Sequence, residues 1–299
     1  MLGFLSPLFE PGFFSNAPVQ TALLVGGIVA VVSGIVGTFT VMRGQSFAGH
    51  SLADIGTAGG SASFLLGISP LFGFVAMNLM AAGVMEWIGI RRPRGRDLAT
   101  GIVLGAALGL AALLLYLDTT ASSTTGATIN VLFGSIFTLP SSLVPVIAIF
   151  SVVAAGVVLA MYRPLLLSSV SSDLATAQGV RVRLVGIGYL GALAVAVSLS
   201  AVTIGAILST ALLIGPAATA LRITNRTGRA AVIASAIGVV ATWLGVLLAY
   251  DSYYWFPSRG GWPVSFFVVT LVFLLYLVSQ IRFGRGSRVQ RAGVAAQAG

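Results

Sequence analysis

An all-α, polytopic integral membrane helix bundle is what this sequence predicts, on three observations. Hydrophobic residues fill 57% of its 299 positions and charged residues only 8%, against about 25% charged in an ordinary soluble domain. The apolar residues gather into segments of roughly 20, the length that crosses a hydrocarbon core of about 30 Å at 1.5 Å per residue. The remaining charges sit in short stretches between those segments, and all sixteen basic residues are arginine.

Taken in order, Met1–Pro18 mixes apolar residues with Glu10 and two early prolines and reads as a short interfacial segment. A transmembrane domain covers 19–282, and 283–299 is a basic cytoplasmic tail expected to be disordered. The first span runs from about Thr21 to Met42. The second, Leu52–Gly67, is short for a crossing, so the count is about nine spans, with eight possible. Pro70–Ile90 is the third and Leu98–Leu117 the fourth, separated by the run RRPRGRD. After the polar stretch Asp118–Asn130 a fifth span covers Leu139–Met161. Arg163–Arg183 is too polar to cross. The sixth to ninth spans are Leu184–Leu199, Ile204–Leu221, Ala230–Tyr250 and Pro263–Ile281.

The arginines orient this count. With the tail inside, alternating backward puts fifteen of the sixteen on the same side and only Arg259 outside, the positive-inside pattern. The N-terminus then lies out and the C-terminus in. Tyr250, Tyr253, Tyr254, Trp255 and Trp262 form an aromatic cluster at the outer boundary. A net charge of +9 distributed in this way marks topology, not nucleic-acid binding. The first residues, MLGFLSPLFEPGFF, lack the basic start and small-residue cleavage site of a signal peptide.

Several chemistries are excluded by composition. There is no cysteine, hence no disulfide or thiolate site. There is no lysine, hence no phosphate-binding loop of the GxxxxGK[ST] type and no serine–lysine dyad. A single histidine cannot build a multi-histidine metalloprotease centre. If ATP drives this protein, the hydrolysis belongs to another chain.

The stretch GHSLADIGTAGG, Gly49–Gly60, carries that histidine, His50, and an aspartate four residues on, Asp54. On a helix the two side chains stack on one face. Imidazole and carboxylate together suit zinc, manganese or iron(II); the alternative is a hydrogen bond that locks the helix start. Ionisable groups inside a membrane cost about 2.5–3.5 kcal/mol at the centre and usually mark a pathway. Asn78 and Glu86 in the third span and Pro216 in the seventh are the other candidate pathway or gate residues. The competing explanations are an interhelical hydrogen bond for Asn78, an interfacial arginine pair or solvation for Glu86, and a packed kink for Pro216. Asp118 and Asp251 fall at outer ends and are expected to be solvated or to line an entrance. Within Ser171–Val180, Asp173 can begin and Gly179 can end a short surface helix, which could dock on a partner.

Four stretches together resemble the permease subunits of bacterial ATP-binding-cassette importers for zinc, manganese and iron. They are GTFTVMRGQSFAGHSLADIGTAGGSASFLLG, RDLATGIVLGAALGL, DLATAQGVRVRL and, most specifically, AVTIGAILSTALLIGPAATALRI at Ala201–Ile223. The resemblance covers about Thr21–Gln280. It implies a homodimer in the bacterial plasma membrane, surrounded by lipid, with two cytoplasmic ATPase subunits and an extracytoplasmic metal-binding protein. It implies no permanently bound cofactor, only a transported divalent ion. Asp173, Leu174, Ala175, Gln178 and Gly179 would belong to the coupling helix that receives the ATPase stroke. Members usually carry aspartate first and histidine four residues later; here His50 precedes Asp54. The alternatives are a permease for a metal chelate or siderophore, a secondary transporter and an intramembrane enzyme. No internal repeat of the secondary-transporter kind is visible, and no catalytic set is present for the enzyme.

Overall fold

The computed structural model describes residues 12–89, 93–121, 125–134, 136–255 and 261–297. Most of the expected interfacial segment at 1–18, part of the Arg91–Arg96 cluster and Arg259 lie outside the described residues. The described chain is helical: α1 (Ala17–Met42), α2 (Ser46–Leu65), α3 (Pro70–Gly89), α4 (Pro93–Ala121), α5 (Thr125–Phe133), α6 (Val144–Ala160), α7 (Tyr162–Val170), α8 (Ser172–Ala177), α9 (Val182–Ile204), α10 (Ala206–Ile223), α11 (Thr227–Trp255) and α12 (Val264–Gln297).

Among the described residues, eight helices are long and apolar enough to cross a membrane: α1, α3, α4, α6, α9, α10, α11 and α12. The second expected span, α2, is not among them, yet it has 20 residues, about 30 Å of helix. It begins at Ser46, six residues before the expected Leu52. Hydropathy reports what a helix shows to lipid, and α2 shows little. It packs against α3, α4, α9 and α10, and its polar and small residues Ser51, Gly56, Thr57, Gly59, Gly60, Ser61 and Ser63 are all buried. A helix enclosed by protein has no need of an apolar surface.

The axis of the bundle is α9, of which 83% is buried across its apolar span. Three hydrogen bonds fix its register against its neighbours. Ser33 and Ser200 hydroxyls meet at 2.9 Å, Thr40 and Tyr189 hydroxyls at 2.7 Å, and Asn78 Nδ2 donates to Ser198 Oγ at 2.9 Å. Thr40 Oγ1 already donates to the Val36 carbonyl, so the Tyr189 phenol is the donor of its pair. Only Gly205, with φ +97°, separates α9 from α10. Leu193 and Leu213, on either side of that break, both lie against Gly49 of α2, so the chain folds back at the glycine.

Two helices lie where the sequence suggested loops. The polar stretch after α4 contains α5, and α7 precedes the expected surface helix. Both have nine residues, which gives too few turns for a periodic pattern to stand out. At the other end α12 continues past Ile281 to Gln297. The boundary placed at 283 is therefore one of composition, since arginine, alanine and glutamine are compatible with continued helix.

Small residues decide how closely these helices approach. Gly59 of α2 and Gly73 of α3 face one another with each Cα against the other's carbonyl oxygen, leaving no room for a Cβ on either. Overpacking costs typically about 1–3 kcal/mol, and here the obstacle is backbone. Gly73→Val is expected to lower the thermal midpoint of the detergent-solubilised protein by several degrees or to abolish folding. Gly156→Ala on α6, where nothing lies within 4 Å, is expected to leave the midpoint unchanged or slightly raised. Equal midpoints for Gly73→Val and the unaltered chain would contradict this packing.

Candidate functional site

The first half of α2 has a buried side and an open one. Phe47 and His50 are exposed and Asp54 is half-buried, while Gly49, Ser51, Leu52, Ala53 and Ile55 are buried between them. The spacing of three and four residues puts the open positions on a single face. His50 Nε2 lies 3.7 Å from Asp54 Oδ2, with side chains 51% and 24% exposed. That separation is too long for a hydrogen bond. The two groups lie side by side as an i, i+4 pair within ion-pair distance.

The early start of α2 also sets depth. His50 is four residues into the helix and Asp54 eight, about 6 and 12 Å along the axis. Thr57 Oγ1 bonds back to the Asp54 carbonyl at 2.5 Å, within the same helix. Among the described residues no group of three or more histidine, aspartate or glutamate side chains comes together. One chain therefore offers a cation two donors at this stripe.

The other predicted pathway residues sit apart from it. Asn78 is fully buried and bonded to Ser198. Its Oδ1 has no hydrogen-bond partner, and its amide is pressed against Gly56 of α2, where a Cβ would lie 2.9 Å away. This is the interhelical role, tying the helix that carries His50 to α3 and α9. Glu86 opens on a cleft of about 250 Å³ between α3 and α9, with Arg183, Trp87 and Ile187 in its walls; neither His50 nor Asp54 lines it. Pro216 is buried inside α10, and Gly37 of α1 packs against the Leu213 carbonyl one turn before it.

Asp118 and Asp251, expected in solvent, are both buried, at 1% and 0% exposure. α5 packs on α4. Gly261 and Trp262 fold back over the end of α11, where the Trp262 N–H donates to Ser252 Oγ at 2.9 Å. Neither carboxylate oxygen of Asp118 has a hydrogen-bond partner.

The surface helix α8 is present but starts earlier than expected. Ser171, not Asp173, caps it by accepting the Leu174 N–H at 3.2 Å, and Asp173 occupies the first turn. Gly179 has φ +78° just beyond the helix end, the left-handed position that glycine fills without strain. Ala175 alone is buried, against the bundle, whereas Asp173, Leu174, Gln178 and Gly179 are exposed. Most of its side chains are therefore open, while the helix itself lies beside α7 and α9.

One residue of this region was read from sequence only as a topology charge. Arg43, at the end of α1, donates from Nη1 to Ser168 Oγ on α7 at 2.8 Å and lies 5.1 Å over the Tyr189 ring of α9. The partners are 125 and 146 positions away, so no local pattern could have revealed them.

Comparison with known proteins adds the following. The model of the ABC 3 transport family matches residues 15–281. The chain is 30% identical over 244 residues to the manganese transport system membrane protein MntC of Listeria monocytogenes, covering 81% of this chain and 85% of that one. Among solved structures, PsaBC from Streptococcus pneumoniae in complex with Fab superposes with a TM-score of 0.75 at 27% identity, over 90% of this chain and 93% of that chain. An inward-facing ABC transporter of metal-chelate type superposes with a TM-score of 0.68 over 91% and 88% of the two chains. At 16% identity the latter likeness carries the fold alone.

The capping of α8 yields a local test. Loss of a serine cap costs about 1 kcal/mol, so Ser171→Ala is expected to speed hydrogen exchange at the Leu174 amide roughly five-fold. The thermal midpoint of the bundle should not move, because α8 contributes only Ala175 to it. Unchanged exchange at Leu174 would show that the cap contributes nothing.

Proposed function

Because the chain belongs to the ABC 3 transport family, we propose that it is the membrane-spanning permease of an ATP-driven importer, carrying a divalent transition-metal ion into the cell by alternating access. The observation that carries this reading is the His50–Asp54 pair, an imidazole and a carboxylate 3.7 Å apart on the open side of α2. Manganese stands first among the candidate ions, since the Listeria relative is named for manganese transport; zinc and iron(II) suit the same donors.

Two donors do not complete the shell of a divalent metal, which takes about four to six. A second copy presenting its own His50 and Asp54 across a shared pathway doubles the set, and water fills the remainder. The site is thus a reason for a homodimer. The pair is a weak one by design of its chemistry: few fixed ligands let the ion leave again, as transport requires. The reversed order of the donors keeps both on one face and exchanges only their depths.

The chain has no lysine-bearing phosphate loop, so ATP hydrolysis falls to a separate ATPase subunit on the cytoplasmic side. Asp173 and Leu174 of α8, with Gln178 and Gly179 just past its end, are exposed and would be what such a subunit grips, with Ala175 as the anchor. An extracytoplasmic binding protein delivers the ion at the opposite end. ATP shifts the dimer between states only to the extent that the ATPase binds the two states unequally, and α8 is where that difference enters.

Uptake of manganese, zinc and iron(II) into bacteria lacking their own importer tests this reading. Cells carrying the chain with its ATPase should accumulate one of the three ions. His50→Ala and Asp54→Ala, at equal membrane levels, should each lower uptake about ten-fold or more, as loss of a metal-site group commonly does. Leu174→Asp should abolish co-purification of the ATPase while the permease stays in the membrane. Undiminished uptake in both His50→Ala and Asp54→Ala removes the site.

A further inference from the structure

The proposed docking helix and the proposed ion helix are far apart in sequence, and α2 does not pack against α7 or α8 to any extent. A link between them is nevertheless present at the arginine-rich end. The turn Arg43–Gln45 is all that joins α1 to α2. The side chain of Arg43 leaves this turn and bonds Ser168 on α7 at 2.8 Å. Ser168 is itself fastened to its own helix through the Leu165 carbonyl at 3.1 Å, and Leu165 is fully buried. Between α7 and α8 there is only Ser171, the residue that caps α8. A second contact holds α7 along the end of α1, an edge-on pairing of Phe39 with Tyr162 at 5.7 Å.

The same guanidinium lies over the ring of Tyr189. That ring is wholly buried on α9, and its hydroxyl is bonded to Thr40, three residues before Arg43 on α1. A planar cation between a hydroxyl acceptor and an aromatic face has a fixed place, which a flexible ammonium does not. Arg43 thus bridges the segment that ends in α8, the central helix α9 and the turn from which α2 departs.

We propose that Arg43 is the positioning residue that transmits displacement of α8 to His50 and Asp54, through Ser168 of α7 on one side and the three-residue turn into α2 on the other. The inference rests on the permease reading above for the source of the displacement and for the role of the pair. It differs from that reading in placing the transmission in one side chain. Motion of α7 and α8 relative to α9 pulls on the guanidinium, and the turn that carries Arg43 is the start of the ion helix. The site then opens or closes as a consequence of where α2 begins.

The test uses the complete transporter, permease with its ATPase, in lipid nanodiscs and in proteoliposomes. The chain has no cysteine, so single labels can be placed through Phe47→Cys on α2 and Ala177→Cys on α8, both exposed positions. In the unaltered background, addition of ATP should shift the distance between the two labels and the position of the α2 label against α9 together. In Arg43→Ala the α8 label should still respond to ATP while the α2 label stays still. Manganese ions moved per ATP hydrolysed should fall by at least about five-fold, the lower end of ordinary coupling between sites, with ATP hydrolysis itself retained. Arg43→Lys should restore little, because it lacks the planar fork. Should Arg43→Ala fail to fold, Ser168→Ala removes a single hydroxyl and is expected to give the same uncoupling in weaker form.

A merely structural role for Arg43 lowers protein level and hydrolysis together and leaves the ion-to-ATP ratio unchanged; that result overturns the proposal. So does an α2 label that follows α8 as well in Arg43→Ala and Ser168→Ala as in the unaltered chain, or one that never follows it. If the labels move as expected but no ion is carried by any variant, the transport reading falls and the transmission through Arg43 stands.

Discussion

In a hydrocarbon environment helices gain nothing from hiding apolar surface against each other, because lipid is as apolar as leucine. What remains is close contact and the few hydrogen bonds that can be made across an interface. This protein depends on both. Gly59 and Gly73 let α2 and α3 meet backbone to backbone, and Ser33, Thr40 and Asn78 each reach α9 with a polar atom. Such bonds are worth about 0.6 kcal/mol on average within membranes. Their value here is register. Each fixes how far one helix is slid along another, which leucine against leucine does not.

The enclosure of α2 follows from this. A helix built of glycine, serine, threonine and alanine is a poor crossing segment by itself and a good filler between four others. Its neighbours, not α2, carry most of the apolar surface of crossing length, and α2 carries an imidazole and a carboxylate. The polar character that disqualifies α2 as a span by hydropathy is the same character that suits it to a place enclosed by other helices. The exposed stripe of Phe47, His50 and Asp54 is the part that its own chain leaves uncovered.

The fold class was legible in the sequence because its signal is long and repeated. Eight segments carry an apolar run of crossing length, and the arginines keep to one side of the count. The His50–Asp54 pair was legible for a different reason: an only histidine beside an acid, in so apolar a chain, stands out by composition. What escaped was short or non-local. The nine-residue helices α5 and α7 lack the turns that make a period visible. Asp118 and Asp251 read as solvated or entrance-lining because they fall at the outer ends of spans, yet both are buried. Hydropathy alone opens the second span at Leu52, whereas a deeper His50–Asp54 pair needs a helix starting near Gly44–Ser46, and α2 does begin at Ser46. Arg43 was counted as a topology charge because its partners lie more than a hundred residues away.

The inverted order of the two donors has a physical consequence under the proposed direction of transport. Along α2 the aspartate lies one turn farther from the arginine-rich end than the histidine does, and its side chain is the less exposed of the two, 24% against 51%. An ion arriving from the outer side meets the carboxylate first. A carboxylate attracts any divalent cation by charge, at a range set by the low dielectric of its surroundings. Imidazole contributes little charge and discriminates by bonding, favouring transition metals over magnesium and calcium. Under the proposed direction, Asp54 would meet the ion before His50, so attraction by charge would precede selection by bonding. With the order reversed, discrimination comes first and the last contact is the charged one. The two arrangements use the same side chains at the same spacing and differ only in which of them lies nearer the arginine-rich end.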